Sequence, residues 1–343
     1  METIKDIAKA CGVGVSTVSR AINNHPDINP ETKEMIMNVI REHNYIPNNS
    51  ARNLKRTHAK TIAVLIKGIT NPFFSRMIGI IEREIYERKY SFILQHVEER
   101  ENEIDVAIEL IKEKRLKGII FLGGNASHTL EKLSQLDIPF VLNTTGIPKD
   151  FQEQSNKWAC VSVDDYAESY KMVTYLCKQG HQRIAMISAS SDDKSIGLLR
   201  YQGYIQALKD NGRTIIDELV MHMDGPDDAY NMETGYRLMK RLMAGKETFT
   251  AVYAIADSLA LGASRAIREA GKTIPEDYSV AGFDGIEMGT YYVPSLTTIR
   301  QPVEEMAETM IHLLYDLIKK EGGCKKVILP GCLLVRESTK TIY

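Results

Sequence analysis

Residues 4–23 read IKDIAKACGVGVSTVSRAIN. Apolar residues recur at helical spacing on both sides of Cys11–Gly14, where two glycines interrupt the pattern. The stretch therefore predicts two short helices separated by a glycine turn. A short helix, a turn, and a second helix with small hydroxyl side chains and one arginine are typical of a helix-turn-helix unit that binds DNA.

A third helix is predicted directly after this pair. In Asn29-Pro30-Glu31 the asparagine suits the cap, the proline suits the first helical position, and the glutamate faces the positive helix end. The apolar residues that follow at helical spacing give this helix one face for a small core. A three-helix module that binds another protein is the alternative interpretation of residues 1–44.

The next segment, Tyr45 to Arg56, reads YIPNNSARNLKR and is polar and basic, with Leu54 near its end. Residues 1–60 carry nine lysines and arginines against six acidic residues, whereas the whole chain of 343 residues has a net charge of −2. A basic N-terminal part on an acidic remainder indicates one nucleic-acid-binding face. A solvated linker, with Leu54 packed on the next domain, is the alternative.

A helix-turn-helix followed by this basic segment resembles the start of the lactose-repressor/galactose-repressor (LacI/GalR) family. The resemblance implies a DNA-binding domain over residues 1–46 and places the second helix, about Val15 to Asn24, in the major groove. It implies base contacts from Val15, Ser16 and Arg20, and phosphate contacts from Thr17, Ser19 and Asn23. Gly14 departs from the family, which usually has a serine cap there.

The same resemblance implies a hinge over residues 47–60 that folds into a short helix on DNA. Leu54 would be pushed into the minor groove and kink the duplex, and Ala51 would let two paired hinge helices approach closely. Arg52 and Lys55 would add positive charge at the DNA. Two such hinges require a homodimer on a palindromic operator in double-stranded DNA.

From residue 61 onward, buried-strand patterns alternate with amphipathic helices, which predicts an α/β body with two doubly wound parallel sheets. The expected strands are 61–66, 118–122, 139–142, 183–187, 251–255 and 279–283, and the expected helices are near 72–89, 101–115, 127–136, 165–179, 195–211, 230–244, 258–271 and 303–320.

The body resembles the two-lobed periplasmic-binding-protein fold of the family's effector and dimerisation domain, here 61–343. The resemblance implies three crossings between the lobes, expected near 161–164, 291–294 and 321–325. Lobe 1 would then comprise about 61–161 and 292–323, and lobe 2 about 162–291 and 324–343.

Ligands of open parallel sheets bind beyond the carboxyl ends of the strands. Effector-binding candidates therefore follow strand patterns or match the family: Phe73, Asn143, Arg200, Asp257 and Asp284. One arginine with carboxylates and an aromatic ring suits a neutral polyol such as a sugar. The alternatives are helix caps for the two aspartates, an exposed helix position for the arginine, and plain core for the phenylalanine.

Other functional classes lack support in the sequence. Nucleophile elbows, phosphate-binding glycine loops and zinc-spaced Cys/His sets do not occur, so we expect neither an enzyme, nor a cofactor, nor a metal site. Five scattered cysteines indicate a reducing cytoplasm. We expect no membrane partner, and a sugar-binding transport protein, the distant alternative, would need a signal peptide and no DNA-binding unit.

The sequence thus predicts a cytoplasmic, sequence-specific transcriptional regulator, a repressor of carbohydrate-utilisation genes that a small sugar-like effector controls. Since no leucine-heptad tail follows the Arg336–Thr339 segment, we expect a homodimer rather than a tetramer. Control of the same regulator by a protein partner or a non-sugar metabolite is the alternative.

Overall fold

The computed structural model describes residues 3–22, 24–43, 45, 60–98, 101–124, 130–144, 157–225 and 227–343. The chain divides into two compact units, Met1–Ala59 and Lys60–Tyr343. None of the helices in these ranges is both long and apolar enough to cross a membrane.

The first unit contains the three predicted helices, α1 (Ile4–Ala10), α2 (Val15–Ile22) and α3 (Pro30–Glu42). Gly12, with a φ of +65°, turns the chain between α1 and α2. Asn29 caps α3 as predicted, since its Oδ1 accepts the Glu31 N–H at 2.8 Å. The three helices close on a small apolar core that contains Ile7, Ala8, Val18, Ala21, Ile36 and Ile40.

The first lobe of the body is built on a six-stranded sheet with the order β11-β5-β4-β3-β1-β2, in which all the strands are parallel. Its strands are β1 (Thr61–Lys67), β2 (Ser91–Val97), β3 (Leu116–Leu122), β4 (Phe140–Asn143), β5 (Trp158–Val163) and β11 (Lys325–Leu329). Its helices are α4 (Phe73–Glu87), α5 (Glu103–Glu113), α6 (Leu130–Ser134) and α12 (Val303–Lys319).

The second lobe has a six-stranded sheet with the order β12-β10-β9-β8-β6-β7, in which only the edge strand β12 is antiparallel to its neighbour. Its strands are β6 (Ile184–Ser188), β7 (Val220–His222), β8 (Ala251–Ala254), β9 (Ser279–Asp284), β10 (Thr297–Arg300) and β12 (Cys332–Leu334). Its helices are α7 (Asp165–Lys178), α8 (Ile196–Asp210), α9 (Met232–Met243), α10 (Asp257–Glu269) and α11 (Met288–Tyr291).

Two of the three lobe crossings lie later in the chain than predicted. The first follows β5, as expected. The second follows β10, because this strand pairs with β9 and still belongs to the second sheet. The third lies between β11 and β12, because β11 pairs with β5 in the first sheet. The predicted boundaries at 291–294 and 321–325 are therefore corrected.

Candidate DNA-binding and effector sites

Helix α2 separates its predicted DNA-contacting residues from its core residues. Val18 and Ala21 are buried against α1 and α3. Val15, Ser16 and Arg20 are exposed, whereas Thr17 and Ser19 are half-buried. On this exposed face Val15 can make apolar contact, for instance with a thymine methyl group, and Arg20 has a fork that suits a guanine.

Helix α2 begins after Gly14, which has no side chain that could cap it. The backbone oxygen of Gly14 accepts the Thr17 and Val18 N–H groups at 2.9 and 3.2 Å, which starts the helix without a serine side chain. The remaining predicted DNA contacts lie outside the described residues: Asn23, Ala51, Arg52, Leu54 and Lys55.

A cavity of about 220 Å³ lies between the two lobes of the body, at the carboxyl ends of the strands. Lobe 1 contributes the segment after β1 and the residues after β3 and β4. Lobe 2 contributes the β6–α8 loop, Arg200 and the end of β9. The polar side chains in its wall are Lys67, Asn71, Thr144, Ser190, Asp192, Asp193, Ser195, Arg200, Asp228, Tyr230, Asp284 and Gln301.

Arg200 is held in this wall by several contacts. Its Nε donates to Asp165 Oδ1 at 2.9 Å and its NH1 donates to the Ile255 carbonyl at 2.5 Å. The guanidinium also lies 3.6 Å from the ring centroid of Phe283. With 1% of its surface exposed, Arg200 is a fixed, charged group and not the exposed helix residue of the alternative interpretation.

Asp284 joins elements of both lobes. Its Oδ1 lies 3.8 Å from Arg200 NH1 and accepts from Gln301 Nε2 at 2.9 Å, and its Oδ2 accepts from Asn71 Nδ2 at 3.4 Å. Burial raises the pKa of Asp284 to about 6, while Arg200 opposes this shift. The backbone of Asp284 has a φ of 122°, which residues with a side chain rarely adopt. Such strained backbone conformations occur mostly at functional sites.

Phe73, one of the predicted effector contacts, lines the cavity, although only 4% of its surface is exposed. It packs edge-to-face on Phe74 at a centroid distance of 5.2 Å, and Phe74 lines the cavity as well. The ring pair gives the cavity an apolar surface opposite the charged groups of the second lobe.

Two of the five predicted effector contacts do not line the cavity. Asp257 is fully buried and accepts the Gly285 and Ile286 N–H groups, both at 2.8 Å, and the Thr298 hydroxyl at 2.6 Å. Asn143 is also fully buried, and its Nδ2 donates to the Val161 carbonyl. Asp257 therefore shapes the turn after β9 and does not line the cavity, and its side chain does not cap α10 either, since Ala256 is the N-cap of that helix.

The buried carboxyl group of Asp257 is expected to make the stability of the folded protein depend on pH. Burial, with the neighbouring Asp284 charge second, raises its pKa to about 8. Since the folded state then holds a proton that the unfolded carboxyl has released, the free energy of unfolding falls as pH rises toward 8. Asp257→Asn keeps an acceptor for the turn and removes the titration. We expect a smaller decrease of the melting temperature between about pH 6.5 and pH 8 in this variant than in the wild type; equal slopes contradict the assignment.

Several cavity residues were missed by the sequence analysis: Asn71, Asp192, Asp193, Asp228 and Gln301. Asn71 lies in the loop after β1 and Asp192 and Asp193 lie in the loop after β6, so the rule about strand ends could have found them. Gln301 follows β10, which the sequence analysis did not recognise as a strand. Asp228 lies in the loop after β7, a three-residue edge strand that the sequence analysis did not recognise either, so the rule about strand ends could not identify it.

Comparison with known proteins agrees with this architecture. Residues 3–48 match the bacterial regulatory proteins of the lacI family, and residues 173–339 match a periplasmic binding protein-like domain. The HTH-type transcriptional regulator MalR of Clostridium butyricum is 40% identical over 337 residues, which cover 98% of each chain. The HTH-type transcriptional repressor PurR of Pasteurella multocida is 31% identical over 345 residues, which cover 99% of each chain.

Solved structures give the same result. The transcriptional regulator CelR in complex with cellobiose superimposes with a TM-score of 0.70 at 28% identity, covering 98% of this chain and 100% of that one. A LacI family regulator from Enterococcus faecium with bound ribose gives a TM-score of 0.68 at 30% identity, covering 83% of this chain and 100% of that one.

A helix-turn-helix unit joined to a two-lobed body with a cavity between the lobes defines a DNA-binding transcriptional regulator. The chain belongs to the LacI family of these regulators. The fold class that the sequence predicts, a helix-turn-helix head on a periplasmic-binding-protein-like α/β body, is confirmed.

Proposed function

We propose that this regulator is a cytoplasmic homodimer that represses carbohydrate-utilisation genes from a palindromic operator. A sugar-like effector that binds between the lobes of the body would control it, without catalysis. The observation that carries the proposal is the interlobe cavity, in which a buried arginine, carboxylates and aromatic rings converge. Hydroxyl groups of a sugar suit these partners, because carboxylates accept and a guanidinium donates.

A screen of thermal stability tests the effector. The purified protein is heated with sugars, sugar phosphates and nucleobases, since a ligand at a hundred times its Kd adds about 2.7 kcal/mol of stability. A shift with a sugar supports the proposal, and a shift with a nucleobase alone replaces it by control through a non-sugar metabolite. A blank across the panel contradicts control by these three ligand classes and favours a protein partner or a metabolite outside the panel.

Arg20 is proposed to read a base pair of the operator. It is exposed on the same face of α2 as Val15 and Ser16, and its forked guanidinium suits a guanine. We expect Arg20→Ala to weaken operator binding by about 1–3 kcal/mol and to relax the preference at one base pair. Binding to a set of single-base operator variants measures both effects.

Lys112→Ala is the matched control, because Lys112 is an exposed lysine on α5 of the body and its loss removes the same charge. This variant should bind all the operators as the wild type does. If Arg20→Ala instead weakens binding to every sequence by the same factor, Arg20 contacts a phosphate and the base-reading assignment is wrong.

Asp284 is proposed to couple the effector to the lobes. An effector changes an equilibrium only by binding one lobe arrangement better than the other, and Asp284 is hydrogen-bonded to Asn71 of lobe 1 and to Gln301 at the crossing. We expect Asp284→Asn to weaken effector binding about tenfold while ligand-free operator binding stays unchanged. Calorimetry with the effector and operator titration measure the two quantities.

Glu287→Gln is the control for this variant, because Glu287 follows the same strand but is exposed and lies outside the cavity wall. It should leave both affinities unchanged. Loss of both activities in Asp284→Asn would instead assign Asp284 a purely structural role.

A further inference from the structure

The loop between β6 and α8 places two carboxylates in the cavity wall. Asp192 Oδ1 accepts from the Ser190 hydroxyl at 2.6 Å, and Asp193 Oδ1 accepts from the Ser195 N–H at 2.7 Å and from its hydroxyl at 2.5 Å. The loop is itself held by Asp224, which accepts from the Ser191 N–H at 2.8 Å. The two carboxylates are therefore positioned before any ligand arrives.

The charges of the wall are mainly negative. Four carboxylates line it, against two cationic side chains: Asp192, Asp193, Asp228 and Asp284, with Lys67 and Arg200. Both cations already have carboxylate partners, since Arg200 pairs with the buried Asp165 at 2.8 Å and Lys67 lies 3.8 Å from the buried Glu103. Of the four carboxylates, Asp284 lies near Arg200 and Asp228 pairs with Arg237, whereas within the described residues neither Asp192 nor Asp193 forms an ion pair. An added anion would therefore meet repulsion from Asp192 and Asp193 that the cations of the wall do not offset.

A second observation concerns hydrogen-bond donors. Gln301 lines the cavity with 2% of its surface exposed, and its Nε2 donates to Asp284. Its Oε1 is buried and has no hydrogen-bond partner among the described residues. A buried acceptor without a donor is costly, so a hydroxyl group that donates to Gln301 Oε1 would stabilise this wall. This acceptor favours a ligand rich in hydroxyl groups, and the discrimination against anions rests on the carboxylates of the loop.

We infer that the cavity selects uncharged, donor-rich polyols and excludes their phosphorylated or carboxylated derivatives, with Asp192 and Asp193 as the residues that determine this specificity. The inference rests on the proposed function, since it concerns the effector of that same cavity. It predicts that a free sugar and its phosphate ester, which share most hydroxyl groups, differ strongly in affinity.

The test is calorimetric titration of the full-length protein with matched pairs: ribose and ribose 5-phosphate, glucose and glucose 6-phosphate, cellobiose and cellobionate. For at least one pair, the neutral member should bind at least about tenfold more tightly than its anionic partner. Equal or tighter binding of the anionic member overturns the inference but leaves a sugar-responsive regulator. If no neutral or anionic sugar binds, the proposed sugar effector fails, and the inference fails with it.

The double variant Asp192→Asn/Asp193→Asn assigns the selectivity to the loop, because each asparagine retains an oxygen that can accept from the serines. The ratio of the two affinities within a pair should fall at least about fivefold. Asp217→Asn removes one negative charge from an exposed position of the same lobe, outside the cavity wall, and should leave the ratio unchanged. An unchanged ratio in the double variant overturns the role of the loop.

Discussion

Arg200→Met is expected to lower the free energy of unfolding of the body by about 3–5 kcal/mol and to abolish effector binding. The substitution keeps much of the side-chain volume but leaves the buried carboxylates of Asp165 and Asp284 without their cation. The Ile255 carbonyl also loses its donor. Chemical denaturation of the purified protein, with calorimetry at a temperature where the variant is folded, measures both effects.

Two further variants separate charge from geometry. Arg200→Lys keeps the charge but cannot donate to Asp165 and Ile255 from one planar fork, so its loss of stability should be intermediate. Adding Asp165→Asn to Arg200→Met removes one uncompensated charge and should recover part of the stability. If the loss of stability in the double variant equals the sum of the losses in Arg200→Met and in Asp165→Asn measured alone, the ion pair is not the source of the effect.

Gly262→Ala is expected to destabilise the second lobe by about 3 kcal/mol. Gly262 lies where α10 crosses α9, and an added Cβ would lie 1.9 Å from the Met232 carbonyl oxygen and 2.8 Å from the Tyr236 nitrogen. Both contacts are with backbone atoms, so no side-chain rotation can relieve them and the two helices would have to separate. Denaturant unfolding measures the loss.

Gly79→Ala is the matched control for this substitution. Gly79 lies within α4 on an exposed face, and an added Cβ would meet no atom within 4 Å. Alanine restricts the unfolded chain more than glycine does, so this variant should gain about 0.5–1 kcal/mol. If Gly262→Ala is as stable as Gly79→Ala, the close approach of α9 and α10 does not constrain the lobe.

Local patterns predicted several strands whose side chains are almost entirely buried, although they missed the buried strands β5 and β10. The strands β1, β3 and β8 have almost entirely buried side chains and read as continuous apolar runs. Two edge strands were not recognised because they mix exposed and half-buried residues: β2 (SFILQHV) and β11 (KKVIL). Edge strands have one neighbour and a partly solvated surface, so their composition carries a weaker signal.

The predicted effector contacts likewise include residues that line the cavity and residues that do not. Arg200, Asp284 and Phe73 follow strands or match the family, and they line the cavity. Asp257 also follows a strand, but its carboxylate turns toward the Gly285 and Ile286 N–H groups, which come from a loop later in the chain. Sequence spacing does not distinguish a carboxylate that faces the cavity from one that caps a neighbouring turn.

The sequence by itself determined the helix-turn-helix unit, the alternation of strands and helices, and the family, because each depends on residues close together in the chain. Only the tertiary structure decided where the chain passes from one lobe to the other, since no local pattern shows that β10 stays with β9 in the second sheet or that β11 returns to the distant β5 in the first. It also decided which polar groups share the cavity. Asn71, Asp284 and Gln301 meet there because two separate sheets bring their strand ends together, and no local pattern encodes that distance.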